Sequence, residues 1–511
     1  MRRLVISFII LWGVGACTSP ASEETDSETG SQDTSGTDSN TDVDTDSDTD
    51  SDTNSDTDSD TDSDIEGQPI GEVIFADDVL RSYYITISDS EYERLMDMST
   101  LVQNWTVNKD RYVEVGIQVE DMELPSVGMR FKGDWSLISC VINGVRQSRV
   151  EPVFGNIDVC QQFSLKLDFN MYDENSRLDG LKKLNLHSMS SDPTKMHERL
   201  GYDLFREMDI LAPRAVHAKV YINGEYHGLF VAVEQVDGRF TANRFPEYGD
   251  GNLYKEIWPG PYQTEAAAVE ALKTNDDPDT LDVSDFLAFG DAVTAAGTGD
   301  FATTMAPFLD FDYLARYLVV DRAITNFDGI LAFYEDFGST NHNYYWYREQ
   351  ASGRFTLIPW DLDKTFIVPE PNFWFNNSSE ATSDLIPACT PANMPNWNVM
   401  SRGCAGNVCS FDCLGYQYRM LPLDCDTLLG SLRSEIYARQ EQIAEEFIGG
   451  LFSEASVSEK LDRWEQQISE ALEEDDKVDR AAVGEAIGKL KDDLPALQNN
   501  LSLVMGGLVE E

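Results

Sequence analysis

Alternating apolar and polar residues predict β-strands through the first half of the chain. Five of the predicted strands cover residues 72–76, 82–87, 111–119, 126–132 and 162–169. Two further strands, 214–222 and 225–236, are separated by Asn223-Gly224, the dipeptide that a tight type I′ turn prefers. This spacing predicts a β-hairpin.

Helical spacing of apolar residues predicts the other elements. Ser88 is a good N-cap for a short helix that ends at Met96, and Pro193 is placed to begin an amphipathic helix that ends near Met208. The remaining predicted elements are a helix over 310–324, a second hairpin over 344–348 and 355–360, and two or three packed helices after Asp426, with a break at Gly449-Gly450. This order predicts an α+β fold, which by itself does not name a function.

The N-terminus resembles a bacterial lipoprotein signal over residues 1–17. Arg2 and Arg3 precede an apolar segment, 4–12, that is too short for a transmembrane helix, and the sequence VGAC then ends at Cys17. An ordinary secretory signal with a chance cysteine is the alternative. Acylation of Cys17 with two or three chains would anchor the protein durably to the cell envelope, on the periplasmic side or at the cell surface.

Residues 18–66 have the composition of a disordered tether. Between 41 and 64 the sequence is nearly an alternation of Asp with Ser or Thr, which offers no core residues and repels itself. The Asp-x-Asp spacing also suggests calcium binding, but the segment lacks the Gly and the closing Glu of a calcium loop. We therefore expect an extended linker between the anchor and the folded part.

The charge of the chain excludes one class of partner. There are 91 Asp and Glu residues against 38 Lys and Arg, a net charge of −53, and only 17 of the acidic residues lie in 18–64. Binding to a phosphate backbone requires a basic face, so we expect no nucleic acid partner. No segment after residue 20 is long and apolar enough to span a bilayer, so we expect no integral membrane segment.

The cysteines fit an oxidising compartment. Cys140 and Cys160 flank one loop and are predicted to pair. Five more lie in a Gly/Asn/Pro-rich region, 381–425, which contains no His. Disulfides are the favoured interpretation of this region, and a zinc site is the alternative. The odd number leaves one thiol without a predicted partner.

Three charged residues interrupt segments that are otherwise apolar. Lys166 alternates with apolar neighbours and would face a cleft, unless it is an exposed strand lysine. Glu198 lies early on a helix, where it could pair with a strand lysine or simply suit the helix dipole. Glu234 ends an apolar strand that leads into a helix, and such a connection can hold a flat ring between two lobes. Asp237 could serve there as an N-cap.

Four side chains on loops around the second hairpin suit phosphoryl transfer. They are Asp328, Asn343, Asp361 and Asp363. One carboxylate can orient or deprotonate a hydroxyl, while an amide and a second carboxylate can hold Mg²⁺ through hard oxygens. Asx residues that cap turns are the alternative.

Several motifs, in order along the chain, resemble the spore-coat-protein-H (CotH) kinase family. They are MRFKGDWS, QQFSLKLDFN, LDGLKKLNLHS, DPTKMHERLGYDLFREMDILAPRA, VYINGEYHGLFVAVEQVD, GNLYK, NHNYYWY and FTLIPWDLDKTF, and they cover roughly residues 79–366. The resemblance implies an atypical protein-kinase-like fold, with an antiparallel-sheet N-lobe and a mainly helical C-terminal part. It also implies binding of ATP with Mg²⁺ (or Mn²⁺) and phosphorylation of secreted or surface proteins.

The resemblance also assigns boundaries and roles. The implied parts are a kinase-like domain over 67–380, a Cys-rich insert over 381–425 and C-terminal helices over 426–511 that pack on the kinase domain. Lys166 resembles the phosphate-binding lysine, Glu198 its helix partner, and Glu234 the start of the connection between lobes. The roles implied on the loops are catalytic aspartate for Asp328, metal ligand for Asn343, metal aspartate for Asp361, and an assisting role for Asp363.

One departure from the family keeps other functions open. Residues 329–342 form a longer spacer between Asp328 and Asn343 than is usual, so either the loop bulges out or the site is altered, as in a pseudokinase. ATP is also scarce outside the cytoplasm. A surface-binding or structural lipoprotein, and an envelope enzyme that acts on another phosphate or a carbohydrate, are therefore the alternatives.

Overall fold

The structure is a computed structural model that describes part of the chain. The described residues are 70–103, 106–142, 145–146, 160, 162–260, 263–297, 300–326, 328–331, 341–368 and 426–506. The predicted signal, the predicted tether and the Cys-rich region 381–425 lie outside them, as does most of the spacer after Asp328. Among the described residues, no helix has the combination of length and apolar sequence that crossing a membrane requires.

Fourteen strands are present in the described residues. They are β1 (Arg81–Ile87), β2 (Val102–Gln103), β3 (Thr106–Val107), β4 (Val113–Val119), β5 (Met122–Lys132), β6 (Val141–Ile142), β7 (Val145–Arg146), β8 (Ser164–Asp168), β9 (Lys183–His187), β10 (Ala215–Ile222), β11 (Glu225–Glu234), β12 (Leu253–Lys255), β13 (Tyr344–Arg348) and β14 (Phe355–Pro359).

Twelve α-helices accompany these strands in the described part of the chain. They are α1 (Asp89–Met96), α2 (Met98–Leu101), α3 (Trp135–Cys140), α4 (His197–Glu207), α5 (Gly238–Arg244), α6 (Glu265–Ala271), α7 (Ser284–Ala296), α8 (Phe301–Met305), α9 (Phe311–Ala323), α10 (Thr427–Gly449), α11 (Glu454–Glu474) and α12 (Arg480–Gly506). A short 3₁₀ helix, Leu362–Lys364, follows β14. The predicted mixture of helix and sheet is therefore confirmed.

Seven strands close into a barrel in the order β1-β10-β11-β9-β8-β5-β4. The closure depends on a parallel pairing of β1 with β10, whereas the other pairs around the barrel are antiparallel. Successive side chains of a strand point to opposite faces, so the apolar residues of each strand can fill the interior. Leu165, Leu186 and Phe230 belong to the buried cluster inside the barrel. The sequence predicted an antiparallel sheet, and the parallel pair that closes it was not foreseen.

A second apolar core lies against the outside of the barrel. Strand β11 contributes to both cores, because Phe230 and Ala232 face the barrel interior while Leu229, Val231 and Val233 belong to the outer core. The outer core also contains a three-stranded sheet, β12-β13-β14, and apolar residues of α10, α11 and α12. The three C-terminal helices thus share one core with the middle of the chain.

Several local predictions are confirmed. The Asn223-Gly224 turn joins β10 to β11 with φ values of 51° and 84°, the left-handed backbone that a type I′ turn requires. Ser88 caps α1, since its hydroxyl accepts a hydrogen bond from the Glu91 amide. Cys140 and Cys160 form a disulfide, as predicted.

The prediction of a strand over 72–76 is wrong. The segment is a turn in which the Phe75 amide donates to the Gly71 carbonyl at 3.0 Å. The Asp179 carboxylate accepts hydrogen bonds from the amides of Val73 and Ile74 at 2.7 and 2.9 Å. These bonds to a distant side chain satisfy backbone groups that a strand would have paired within a sheet.

Candidate functional site

The outer face of the barrel carries a row of buried polar side chains. Leu165 points into the barrel, so Lys166 points outward, and Arg130 of β5 and Asn185 of β9 lie beside it in register. Arg130 and Lys166 are each 2% exposed and Asn185 is 0% exposed. The three side chains therefore form a continuous polar row across β5, β8 and β9 on a buried face of the barrel.

Helix α4 positions Glu198 next to this face. The helix begins at His197 rather than at the predicted Pro193, and the Asp192 carboxylate accepts a hydrogen bond from the His197 amide at 2.8 Å at that end. Leu200, on the buried side of α4, belongs to the outer core. The helix therefore presents Glu198 in its first turn while its apolar side is held by packing.

The Glu198 carboxylate contacts a histidine that the sequence analysis did not identify. His187 Nδ1 lies 2.8 Å from one carboxylate oxygen of Glu198 and 3.0 Å from the other. Both side chains are buried. The alternation in the sequence KLNLH could have revealed His187, since it places Asn185 and His187 on one face of β9 and Leu184 and Leu186 on the other.

Arg199, the next residue of α4, ties the helix to both ends of the described chain. Its guanidinium donates to the Asp77 carboxylate at 2.5 Å and to the Gln467 side chain of α11 at 2.6 Å. It also contacts His217 Nδ1 at 2.7 Å and lies 4.5 Å from the ring centre of Trp464. These contacts fix the rotation of α4, and with it the direction of Glu198.

The hairpin of β13 and β14 brings Asn343 and Asp361 to one end of the second sheet. Asn343 immediately precedes β13, and its carbonyl accepts a hydrogen bond from the Trp360 amide at 2.9 Å. Asp361 follows Trp360 with a left-handed φ of 49°. The Tyr202 hydroxyl accepts a hydrogen bond from the Asp361 amide at 2.9 Å and stabilises this unusual backbone.

The long spacer does not separate Asp328 from Asn343. The Asn343 side-chain amide donates to the Asp328 carbonyl at 2.9 Å, which closes the base of the loop. Lys364, from the 3₁₀ helix, places its ammonium 2.9 Å from an oxygen of the Asp328 carboxylate. The two ends of the insertion therefore meet, although residues 332–340 lie outside the described part of the chain.

Asp363 lies in the 3₁₀ helix directly after Asp361. The Ser191 hydroxyl donates a hydrogen bond to its carboxylate, and the Asp363 carbonyl is 3.0 Å from His197 Nδ1. Desolvation by the surrounding protein, together with the nearby charge of Asp361, raises the pKa of Asp363 to about 8. The carboxyl of Asp363 is therefore harder to ionise than an ordinary aspartate.

Glu234 has a different environment from the other candidates. It ends β11, and its 1% exposed carboxylate is held by the guanidinium groups of Arg214 and Arg244 at 2.8 and 2.7 Å. Burial alone would raise the pKa of Glu234, but the two arginines, Arg244 first, outweigh it and lower the pKa to about 2. The side chain is thus an ion-pair centre at the end of the strand, and a role of this connection in nucleotide binding stays a prediction.

Replacing Glu234 by glutamine is expected to lower the free energy of unfolding by about 3 kcal/mol at pH 7. The folded pKa is about 2 and the ordinary value is 4.5, so the stabilisation is complete above pH 4.5 and is lost as the pH falls towards 2. Urea denaturation over this pH range measures the effect. Glu225→Gln, at an exposed position of the same strand, is the matched control. If Glu234→Gln lowers the free energy of unfolding by the same amount at pH 7 and at pH 3, the stabilisation does not come from the ionised carboxylate.

The polar face and the acidic loops meet at Trp360. The ring of Trp360 lies edge-on to His187, with 6.0 Å between ring centres, and the Lys132 ammonium is 5.2 Å from its centre. One ligand atom each from His187, Glu198 and Asp361 lies within 4.8 Å of the other two. Carboxylate and amide oxygens are the ligands that suit Mg²⁺, and a metal-binding role of Asp361, Asp363 and Asn343 stays a prediction.

The chain belongs to the CotH kinase family. A family model described as "CotH kinase protein" matches residues 130–492, which include the polar face, the acidic loops and most of the C-terminal helices. This match confirms the resemblance seen in the sequence.

A curated relative is "Inner spore coat protein H" of Bacillus subtilis (strain 168). The two proteins are 26% identical over 198 residues, which is 37% of this chain and 51% of the relative. The chain therefore spans about half the length of this relative. The name of the relative describes a spore coat component.

Proposed function

We propose that the protein is a lipid-anchored, extracytoplasmic kinase of the CotH type, with a kinase-like fold. It transfers the γ-phosphoryl group of ATP to a hydroxyl group of a secreted or surface protein. The observation that carries the proposal is the convergence of Asp328, Asn343 and Asp361 around the start of β13 despite the long spacer. Membership of the CotH kinase family and a relative named as a spore coat protein support it.

The roles follow from charge and position. Lys166, on the buried polar face, binds phosphate oxygens, and its barrel forms the first lobe. Asn343, Asp361 and Asp363 would hold Mg²⁺ (or Mn²⁺), which would neutralise charge on the phosphates. The connection that begins at Glu234 lies at the end of β11, next to Asn185, whose amide contacts the Gln235 side chain at 3.1 Å.

Asp328 is the residue that we assign to the acceptor. Its carboxylate orients the acceptor hydroxyl and takes the proton. The acceptor oxygen then bonds to the γ-phosphorus, the bond from that phosphorus to the β,γ-bridging oxygen breaks, and ADP leaves. Lys364, now 2.9 Å from the Asp328 carboxylate, is placed to move onto a phosphate oxygen when nucleotide enters.

The same ion pair supports a second candidate function, a kinase-like binding module without turnover. If Lys364 keeps the Asp328 carboxylate occupied, the fold can bind a nucleotide or a partner and transfer nothing. Such a module would act as a structural component of the envelope.

Labelling of the purified chain with γ-³²P-ATP separates these functions. The reaction contains Mg²⁺ or Mn²⁺ and a secreted-protein mixture as acceptor, and calorimetry measures nucleotide binding in parallel. Label on serine, threonine or tyrosine supports the kinase. Nucleotide binding without label supports the binding module. If the chain binds no nucleotide, the kinase proposal fails and the binding module, which can act on a partner instead, takes its place.

Replacing Cys17 by serine is expected to release the protein from membranes, because its thiol is the acylation site that the VGAC sequence offers. Fractionation after a salt wash measures the partition. The matched control is Cys140→Ser, which removes a cysteine of the folded part and should leave the protein in the membrane fraction. A Cys17→Ser variant that stays with the membranes would refute the lipid anchor.

A further inference from the structure

His187 and Glu198 form a buried pair, and the proposed kinase roles include no part for His187. His187 is 5% exposed and Glu198 is 3% exposed. Within the described residues, Nε2 of His187 has no hydrogen-bond partner, while Nδ1 faces the two carboxylate oxygens. In a site shared with Glu198 the imidazole would bind an ion through Nδ1, the nitrogen that faces the carboxylate, and would carry its proton on Nε2.

The geometry of this pair suits two neighbouring ligands of one ion. Ligands at about 2.1 Å from an ion, at right angles to one another, are themselves about 3 Å apart. His187 Nδ1 lies 2.8 and 3.0 Å from the Glu198 oxygens. Asp361 supplies a third ligand atom, and the three atoms lie within 4.8 Å of one another.

The third ligand is held in place by its surroundings. The Tyr202 hydroxyl fixes the Asp361 backbone, and the Trp360 ring packs edge-on against His187. Tyr202 belongs to α4, the helix that also carries Glu198. One helix therefore sets the positions of two of the three ligands.

We propose that His187, Glu198 and Asp361 form a site for a divalent transition-metal ion, separate from the ion that accompanies the nucleotide phosphates. On binding, the ion replaces the hydrogen bond between His187 Nδ1 and the Glu198 carboxylate, and the proton of that bond passes to water. Because one of the three ligands is an imidazole nitrogen, Mn²⁺ and Zn²⁺ bind here more tightly than Mg²⁺, which prefers oxygen. The proposal rests on the proposed function only in that both use Asp361, and the ion binds without nucleotide.

Paramagnetic resonance of Mn²⁺ tests the site directly. The full chain is titrated with Mn²⁺ in the absence of nucleotide and at 0.5 M salt, which weakens diffuse binding to the acidic residues of 18–64. We expect one tightly bound ion, a nitrogen coupling in the pulsed spectrum, and displacement by Zn²⁺ at lower concentration than by Mg²⁺.

His187→Gln is expected to abolish the nitrogen coupling and to weaken Mn²⁺ binding at least tenfold. Asp361→Asn should weaken Mn²⁺ binding but keep the nitrogen coupling at saturating Mn²⁺. This variant leaves the buried pair of His187 and Glu198 intact, so it tests the site even if His187→Gln folds poorly. His227→Gln, which removes a histidine of β11, is the matched control and should bind like wild type.

The outcomes separate this inference from the kinase proposal. Tight Mn²⁺ binding with nitrogen coupling supports the metal site even if no nucleotide binds, in which case the kinase proposal falls alone. Mg²⁺-ATP binding without any tight Mn²⁺ site in the free protein overturns the inference and leaves the kinase proposal standing. A nitrogen coupling that persists in His187→Gln also overturns it.

Discussion

Replacing Asp361 by asparagine is expected to reduce phosphoryl transfer about a thousandfold or more, because preorganised charge supplies most of the catalysis in this chemistry. The change removes one negative charge and keeps the shape of the side chain. The hydrogen bond from the Asp361 amide to the Tyr202 hydroxyl involves the backbone, so the loop should keep its conformation. Initial rates of label transfer at saturating Mg²⁺-ATP measure the effect.

Asp310→Asn is the matched control for this variant. Asp310 caps α9 through its carboxylate, and asparagine is an equally good N-cap, so the control makes the same chemical change outside the acidic loops. It should retain wild-type transfer. If Asp361→Asn transfers phosphate as fast as Asp310→Asn does, Asp361 is not part of the site.

Replacing Asp328 by asparagine is expected to lower turnover by roughly 10²- to 10⁴-fold and to leave nucleotide affinity within a few-fold of wild type. The proposed partner of this carboxylate is the acceptor hydroxyl, whereas the nucleotide is held by other groups. The Asn343 bond to the Asp328 carbonyl should survive, because it does not involve the side chain that changes. The split between kcat and the dissociation constant of ATP is the measurement.

The contrast between the two variants identifies their roles. Asp361→Asn should weaken the dependence of ATP affinity on Mg²⁺, and Asp328→Asn should not. A loss of ATP affinity in Asp328→Asn comparable to its loss of turnover would place this residue in the nucleotide pocket and contradict its assignment to the acceptor.

Elements that depend on neighbouring residues could be predicted from the sequence. The Asn223-Gly224 turn and the Ser88 cap are decided by a few adjacent residues, and both are present. The segment 72–76 was mispredicted because a carboxylate from Asp179, more than 100 residues away, binds its backbone. The parallel pairing of β1 with β10 is likewise a long-range contact that alternation within either strand does not encode.

In the candidate site, too, local features could be predicted from the sequence and long-range contacts could not. Charges in apolar strands pointed to Lys166, and hard-oxygen side chains on adjacent loops pointed to Asp328, Asn343 and Asp361. His187 was missed, because the alternation of β9 shows only that it lies on the polar face, whereas its contact with Glu198 depends on the position of α4. The sequence also left the effect of the spacer open, since closure of the loop base depends on a side-chain hydrogen bond.

The position of Arg199 has a consequence for the order of folding. This one guanidinium joins α4 to Asp77, near the start of the described chain, and to Gln467 of α11. The contacts to Gln467 and Trp464 are separated from Arg199 by more than 260 residues, and such contacts form late because closing a long loop costs entropy. The rotation of α4 is therefore fixed only after the C-terminal helices have been synthesised and docked. The candidate site reaches its final geometry as one of the last steps of folding, so a chain whose C-terminal helices have not yet docked has no complete site.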